Sequence, residues 1–179
     1  FRGLEGLEDI GGRLSIVSNS YISDMDGLNL LSRVGASMVV KYNQMLKSFS
    51  GLGKLTQIGG SMDIQLNQKL FNLTGLEHLI SMEGSFALFN NPAMENMDQL
   101  ESLLRVGGSF VVGSNEDLVS IQLPAVKSIG SQTSVALHAT PDRRKLLDYE
   151  NVSDESYNHI FAVEYNTKLR DLNISDDIE

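Results

Sequence analysis

The groups from which this chain could build chemistry are three histidines and 23 acidic residues, with no cysteine. His78, His138 and His159 have no spacing that would set two imidazoles on one metal ion. Asp24 and Asp26, followed by Gly27, resemble the opening of a calcium loop. The later oxygen ligands and the closing Glu of such a loop are missing, so the pair reads as a solvated corner. Glu116-Asp117 reads the same way. The Gly-rich stretches recur at one phase along the chain, which marks corners rather than a single phosphate cradle, and no Gly-x-Ser-x-Gly elbow is present. The lack of cysteine removes disulfides, thiolate zinc and thiol catalysis together. The expectation is a protein that is not an enzyme, with no catalytic residues, no metal and no cofactor.

The elements that must position these side chains follow from a repeat. Asn19, Asn43, Asn67, Asn91 and Asn115 are each 24 residues apart, as are Gly12, Ala36, Gly60, Gly84 and Gly108. Seven apolar columns keep the same step. Two of them are Leu4/Leu28/Leu52/Leu76/Leu100 and Met25/Phe49/Leu73/Met97/Ile121. A turn that cannot bury its own apolar edge must stack on its neighbours and share one continuous core. A sixth turn is expected over Leu123, Val126, Ile129 and Val135, with His138 in the asparagine column. An insertion over 139–156 follows, a loop or a short helix starting near Asp142. The pattern returns from Phe161 to Leu172, with Asn166 at the ladder phase. The chain therefore reads as one solenoid domain over 1–179: regular turns to 138, the insertion, then a last turn and tail over 157–179. It starts at Phe1 and reads as a fragment of a longer chain.

Within a turn, Leu14-x-Ile16 has the period of a strand, whereas Ile22, Met25, Leu28, Leu31 and Val34 come every three residues. The second spacing predicts short extended pieces or 3₁₀ turns rather than an α-helix. The Gly-Gly pairs suit one sharp corner. The asparagines can bond their own backbone and their stacked neighbours, closing the other corner. Strands one turn apart then form parallel sheets along the solenoid axis.

Gly51-Leu52, Leu55, Ile58-Gly59-Gly60, Met62, Ile64, Asn67 and Leu70 carry a motif that resembles the receptor L-domain branch of leucine-rich-repeat-like solenoids. The likeness runs from Gly3 to about His138 and returns weakly over 161–172. Such domains occur in insulin- and EGF-type receptor ectodomains, fungal cell-wall proteins, and bacterial and protist surface proteins. The resemblance implies a right-handed parallel β-solenoid, here all-β and of about seven 24-residue turns, with a non-enzymatic role outside the cell. The missing cysteines depart from the receptor pattern and favour a microbial or protist surface protein.

On that frame, one column points outward at mid-strand: Ser15, Val39, Asp63, Ala87 and Val111. A lone Asp63 cannot provide the pair of carboxylates that glycoside cleavage needs. The neighbouring column contains Lys41, Gln65 and Phe89. Val39, Lys41, Asp63, Gln65, Ala87, Phe89 and Val111 are thus the candidate partner-binding residues. Apolar Val39, Ala87, Phe89 and Val111 stand where polarity is expected. They mark an interface, or they lie beneath the 139–156 insertion or a neighbouring domain. Tyr42 and Leu66 either extend this patch or point inward.

The formal net charge of −9 opposes a phosphate backbone, so no nucleic acid is expected. No run of 18 uncharged apolar residues is present, so no membrane-spanning segment is expected in this chain. Sequons at Asn72, Asn151 and Asn173 are candidate glycosylation sites. The function expected from all this is an extracellular or cell-surface recognition and adhesion module that binds a protein or glycan partner. The alternative is a structural spacer or assembly subunit of a coat, wall or filament, because further turns or domains could continue from the ends.

Overall fold

The computed structural model describes residues 1–130, 134–138, 160–164 and 166–175. They form an all-β parallel solenoid of about five turns. Each turn contributes a two-residue strand, a corner and a four-residue strand. The first turn has β1 (Asp9–Ile10) and β2 (Leu14–Val17), and the second has β3 (Arg33–Val34) and β4 (Met38–Lys41). The third has β5 (Gln57–Ile58) and β6 (Met62–Gln65), and the fourth has β7 (Ser81–Met82) and β8 (Phe86–Phe89). The fifth has β9 (Arg105–Val106) and β10 (Phe110–Gly113). The short strands stack into one parallel sheet and the long ones into another. The register is that of the sequence repeat: Met38 pairs with Met62, Met62 with Phe86, and Phe86 with Phe110.

The two sequence periods become two backbone geometries. In the long strands, alternate side chains such as Met62 and Ile64 turn inward and are fully buried. In the rest of the turn, backbone bonds run from residue i+3 to residue i. Leu52 donates to Phe49 at 3.0 Å and Leu55 donates to Leu52 at 2.8 Å. A three-residue pitch returns the chain to the same side every third residue, which is why the apolar residues are spaced by three. The only helical element among the described residues is the 3₁₀ segment Asp98–Leu100. From Met25 onward, the inward columns of the regular turns are at most 3% exposed, and the Phe86 and Phe110 rings stack at 4.7 Å.

One corner depends on glycine. Gly75 has φ +107°, and a Cβ placed on it would fall on the carbonyl oxygen of Phe49 in the turn before. Turns approach so closely there that no side chain fits, and the backbone sits in the region L-residues avoid.

The far end departs from the expected order. After β11 (Ser120–Leu123), the strand β12 (Ser128–Ile129) adds to β9 as a sixth turn should. The next strand, β13 (Ser134–His138), does not stack on β10. That place is taken by β14 (Ile160–Glu164), in register Phe110 to Phe161 and Gly113 to Glu164. Strand β13 lies outside β14, with Ser134 opposite Ile160 and His138 opposite Glu164. A final strand, β15 (Asp171–Ile174), pairs with β11. The sixth turn is therefore composite, and Asn166, not His138, continues the asparagine column. The register shows why: His138 stands opposite Glu164, which stands opposite Gly113, two residues before the ladder position that Asn115 and Asn166 occupy. The insertion over 139–156 lies outside the described residues.

Candidate binding surface

Two hydrogen-bond ladders fix the corners on which surface side chains sit. In the first, the backbone N–H of each asparagine donates to Oδ1 of the next. The distances are 3.0 Å for Asn19 to Asn43, 3.0 Å for Asn43 to Asn67, 3.1 Å for Asn67 to Asn91 and 3.0 Å for Asn91 to Asn115. Asn115 then donates to Asn166 at 3.0 Å. From Asn43 on, each Nδ2 reaches back to a strand carbonyl of the preceding turn: Asn43 to Ile16 at 2.8 Å and Asn67 to Val40 at 3.0 Å. Asn43, Asn67, Asn91 and Asn115 are fully buried, and no buried side-chain polar atom among the described residues lacks a partner.

The second ladder was not legible as such. The hydroxyls of Ser37, Ser61 and Ser85 tie the glycine corner to the turn that follows. The Ser61 N–H donates to Ser37 Oγ at 3.1 Å, and the Ser85 and Ser109 N–H groups donate to Ser61 and Ser85 Oγ, each at 3.0 Å. The small-residue column leaves room for it: a Cβ on Gly60 would lie 2.6 Å from Ser37 Oγ. The signal available was a hydroxyl at one phase in four successive turns.

The asparagine ladder bends the chain just before each amide. Ser18, Tyr42, Leu66, Asn90 and Ser114 all have φ between +54° and +59°. That conformation costs an L-residue roughly 1–2 kcal/mol, and asparagine tolerates it best among those with a side chain. Tyr42 is half exposed, so Tyr42→Asn removes little packing. We expect it to stabilise the fold by up to ~1 kcal/mol, read as a higher urea midpoint at unchanged m-value.

The long-strand sheet does bring Val39, Lys41, Asp63, Gln65, Ala87, Phe89 and Val111 onto one outward face. It is not an open apolar surface. Val39, Phe89 and Val111 are 6%, 4% and 6% exposed, and the latter two pack with Ala87 as a cluster separate from the core. The polar members of the face are mutually satisfied. Lys41 Nζ lies 2.5 Å from Asp63 Oδ2, each side chain about a quarter exposed, and Gln65 donates to Asp63 Oδ1 at 2.7 Å.

Exposed apolar side chains are spread over the described residues, Leu4, Phe71, Ile80, Leu104 and Val119 among them, and four lie at the asparagine corner of the first two turns. Val17 is 41% exposed, Tyr21 94%, Tyr42 50% and Met45 37%. Tyr21 and Met45 share a column on adjacent turns, and Val17 adjoins Lys41 through β2 and β4. Leu66, half-buried, continues the edge onto the third turn. Of the tyrosines and hydrophobes here, the sequence singled out only Tyr42 and Leu66. Tyr21 and Met45 fall between repeat columns that carry no core signal.

The remaining candidates are dispersed. His78 is exposed, His159 lies outside the described residues, and of His138 only the backbone is described. Asp24 is closed on itself: Oδ1 accepts the Asp26 N–H at 3.0 Å and Oδ2 accepts the Ser23 hydroxyl at 2.8 Å. Asp117 pairs with Lys168 at 2.5 Å, and that hydrogen bond, then the charge behind it, raises the pKa of the lysine. Among the described residues no group of three or more His, Cys, Asp or Glu could hold a metal ion. No helix among them is long and apolar enough to cross a membrane. Asn72 is partly exposed, with Oδ1 accepting the Thr74 N–H at 3.1 Å, and Asn173 is exposed on β15. Asn151 lies outside the described residues. No protein-family model, no curated protein and no solved structure matches the chain.

Proposed function

We propose that the chain is a non-enzymatic recognition or adhesion module, extracellular or on a cell surface, that binds a protein or glycan partner. The observation that carries this reading is the cluster of Val17, Tyr21, Tyr42 and Met45, exposed on one corner of a frame whose inward columns are almost fully buried. Tyrosines held on a rigid corner offer flat apolar area with a hydroxyl at the rim, at little entropic cost. Lys41, Asp63 and Gln65 border it and add polar contacts. The resemblance to receptor L-domains supports the extracellular placement, as do the sequons at Asn72, Asn151 and Asn173. On this reading the solenoid is right-handed. It has about seven turns, the last two assembled from residues 120–138 and 160–175.

The test is a panel of immobilised glycans and surface proteins probed with the wild-type chain and with the double variant Tyr21→Asp, Tyr42→Asp. A ligand whose binding falls at least tenfold in the variant, with the far-UV spectrum unchanged, is the expected result. Binding that the variant leaves intact, or no binding to any member, overturns the proposal. A second reading is a structural spacer or assembly subunit of a coat, wall or filament, for which the stacking of both sheets along one axis is suited.

A further inference from the structure

We propose that β13 and β14 are alternative occupants of one place beside β10. On this view β14 and β15 form a displaceable end of the solenoid, and β13 is the strand that closes the gap when they leave. The first indication is a skipped place. In each of the five regular turns, the short strand and the long strand after it hold the same place in their two sheets. Strand β12 takes the sixth place in the short-strand sheet, beside β9. The strand that follows it, β13, stands in the seventh place of the long-strand sheet, because β14 holds the sixth.

The connection fits both places. Three residues join the short to the long strand in the regular turns, as 59–61 join β5 to β6. Four residues, 130–133, join β12 to β13. The extra residue adds about 3.3–3.6 Å of reach, most of one strand spacing of about 4.8 Å. A connection that reaches the farther place also spans the nearer one.

The register fits as well. Val135, Ala136 and Leu137 stand opposite Phe161, Ala162 and Val163, which stand opposite Phe110, Val111 and Val112. A step of β13 by one whole strand spacing sets a large apolar, a small and a large apolar residue against β10, in the phase that β14 uses. All three strands are parallel, so the step needs no reversal of the chain. A step across the sheet also keeps the alternation of residues, which a slip along it would not. Residues 134–138 include no proline, so each has the amide that a sheet interior requires. What β13 lacks is the rung. Asn166, two residues past Glu164, accepts the Asn115 N–H at 3.0 Å and donates to Val112 O at 3.3 Å. The residue two past His138 is Thr140, which has a hydroxyl in place of the amide. Those bonds, with the pairing of β15 to β11, favour β14 in the resting state. Two packings that differ by so few contacts make a two-state element.

The chain has no cysteine, so introduced pairs report which strand adjoins β10. Neighbouring strands set opposite Cα atoms about 4.8 Å apart, within the span of a disulfide, and strands two places apart do not. The pair Val111→Cys, Ala162→Cys is expected to cross-link on mild oxidation, and the pair Val111→Cys, Ala136→Cys at least tenfold more slowly. Adding Ala162→Pro to the second pair removes an amide from β14 in the middle of the sheet. Cross-linking of that pair should then rise at least tenfold, while amide exchange in β4, β6 and β8 stays slow. Asn166→Ala, which removes the rung and leaves β14 intact, should shift it in the same direction. No rise in either background overturns the proposal, since β10 is then left with an open edge. Faster exchange in β4, β6 and β8 also overturns it, because a displaceable strand does not hold the earlier turns together.

Discussion

Asn67→Asp is expected to destabilise the fold by about 4 kcal/mol at neutral pH, although it changes one NH₂ to an oxygen. Oδ1 of the new side chain can still accept the Asn43 N–H, which lies 3.0 Å away. The other oxygen replaces a nitrogen that donates to Val40 O at 3.0 Å and to Asn91 Oδ1 at 3.1 Å. Three oxygens, one carrying a charge, would then share a site from which water is excluded, since Asn67 is fully buried. The defect should depend on pH. Burial and neighbouring oxygens raise a carboxyl pKa in the folded state above its unfolded value. The folded form then binds more protons, so stability falls as pH rises through the folded pKa and recovers below it, where the acid O–H can donate to Val40. Urea midpoints of variant and wild type, taken between about pH 5 and pH 8, should converge toward the acid end. A gap that is constant or widens on acidification would show that charge is not the cause.

Gly75→Ala should cost about 3 kcal/mol, while Gly53→Ala should fall within about 0.5 kcal/mol of wild type. The two glycines lie at different phases of the repeat and differ in surroundings and in backbone conformation. A Cβ on Gly53 meets nothing within 4 Å, and its backbone is outside the left-handed region. A Cβ on Gly75 meets the Phe49 carbonyl, with φ at +107°. Relief would require the third and fourth turns to move apart, opening the columns on both sides of the corner. Equal midpoints for the two variants would mean that the corner is softer than its geometry implies. In the fifth turn the equivalent position is Gln99, inside the 3₁₀ segment, and its Oε1 accepts the Leu73 N–H at 3.0 Å. The corner can thus be built without glycine once the backbone path changes.

The core was the most legible part of the sequence, because one burial pattern is written several times. Leu28, Leu52, Leu76 and Leu100 share a phase and share an environment. The asparagine corner was legible for the same reason, and its amide chemistry left few alternatives. The place of residues 134–138 was not. Counting columns puts His138 after Asn115, but which of two strands takes an open edge depends on contacts far apart in sequence. The informative sign was local: Asn166 restores the ladder residue that His138 lacks. The outward face was legible only in part, and two readings of it stayed open. Strand alternation tells which way Phe89 and Val111 point, and it carries no information about what lies above them. Burial on that side is a tertiary fact. The corner cluster of Tyr21 and Met45 escaped because a repeat draws attention to positions that agree, and these differ from turn to turn.

The interposed strand sets the order of synthesis against the order of stacking. A chain made from its N-terminus delivers Ser134–His138 before Ile160–Glu164, while the edge of β10 stands open. At roughly 5–20 residues per second, the earlier strand has on the order of seconds alone with that edge. Every turn before it can settle on its predecessor as it emerges. Here the growing protein must leave a vacancy, or surrender a first partner, until the residue that completes the amide ladder has been made.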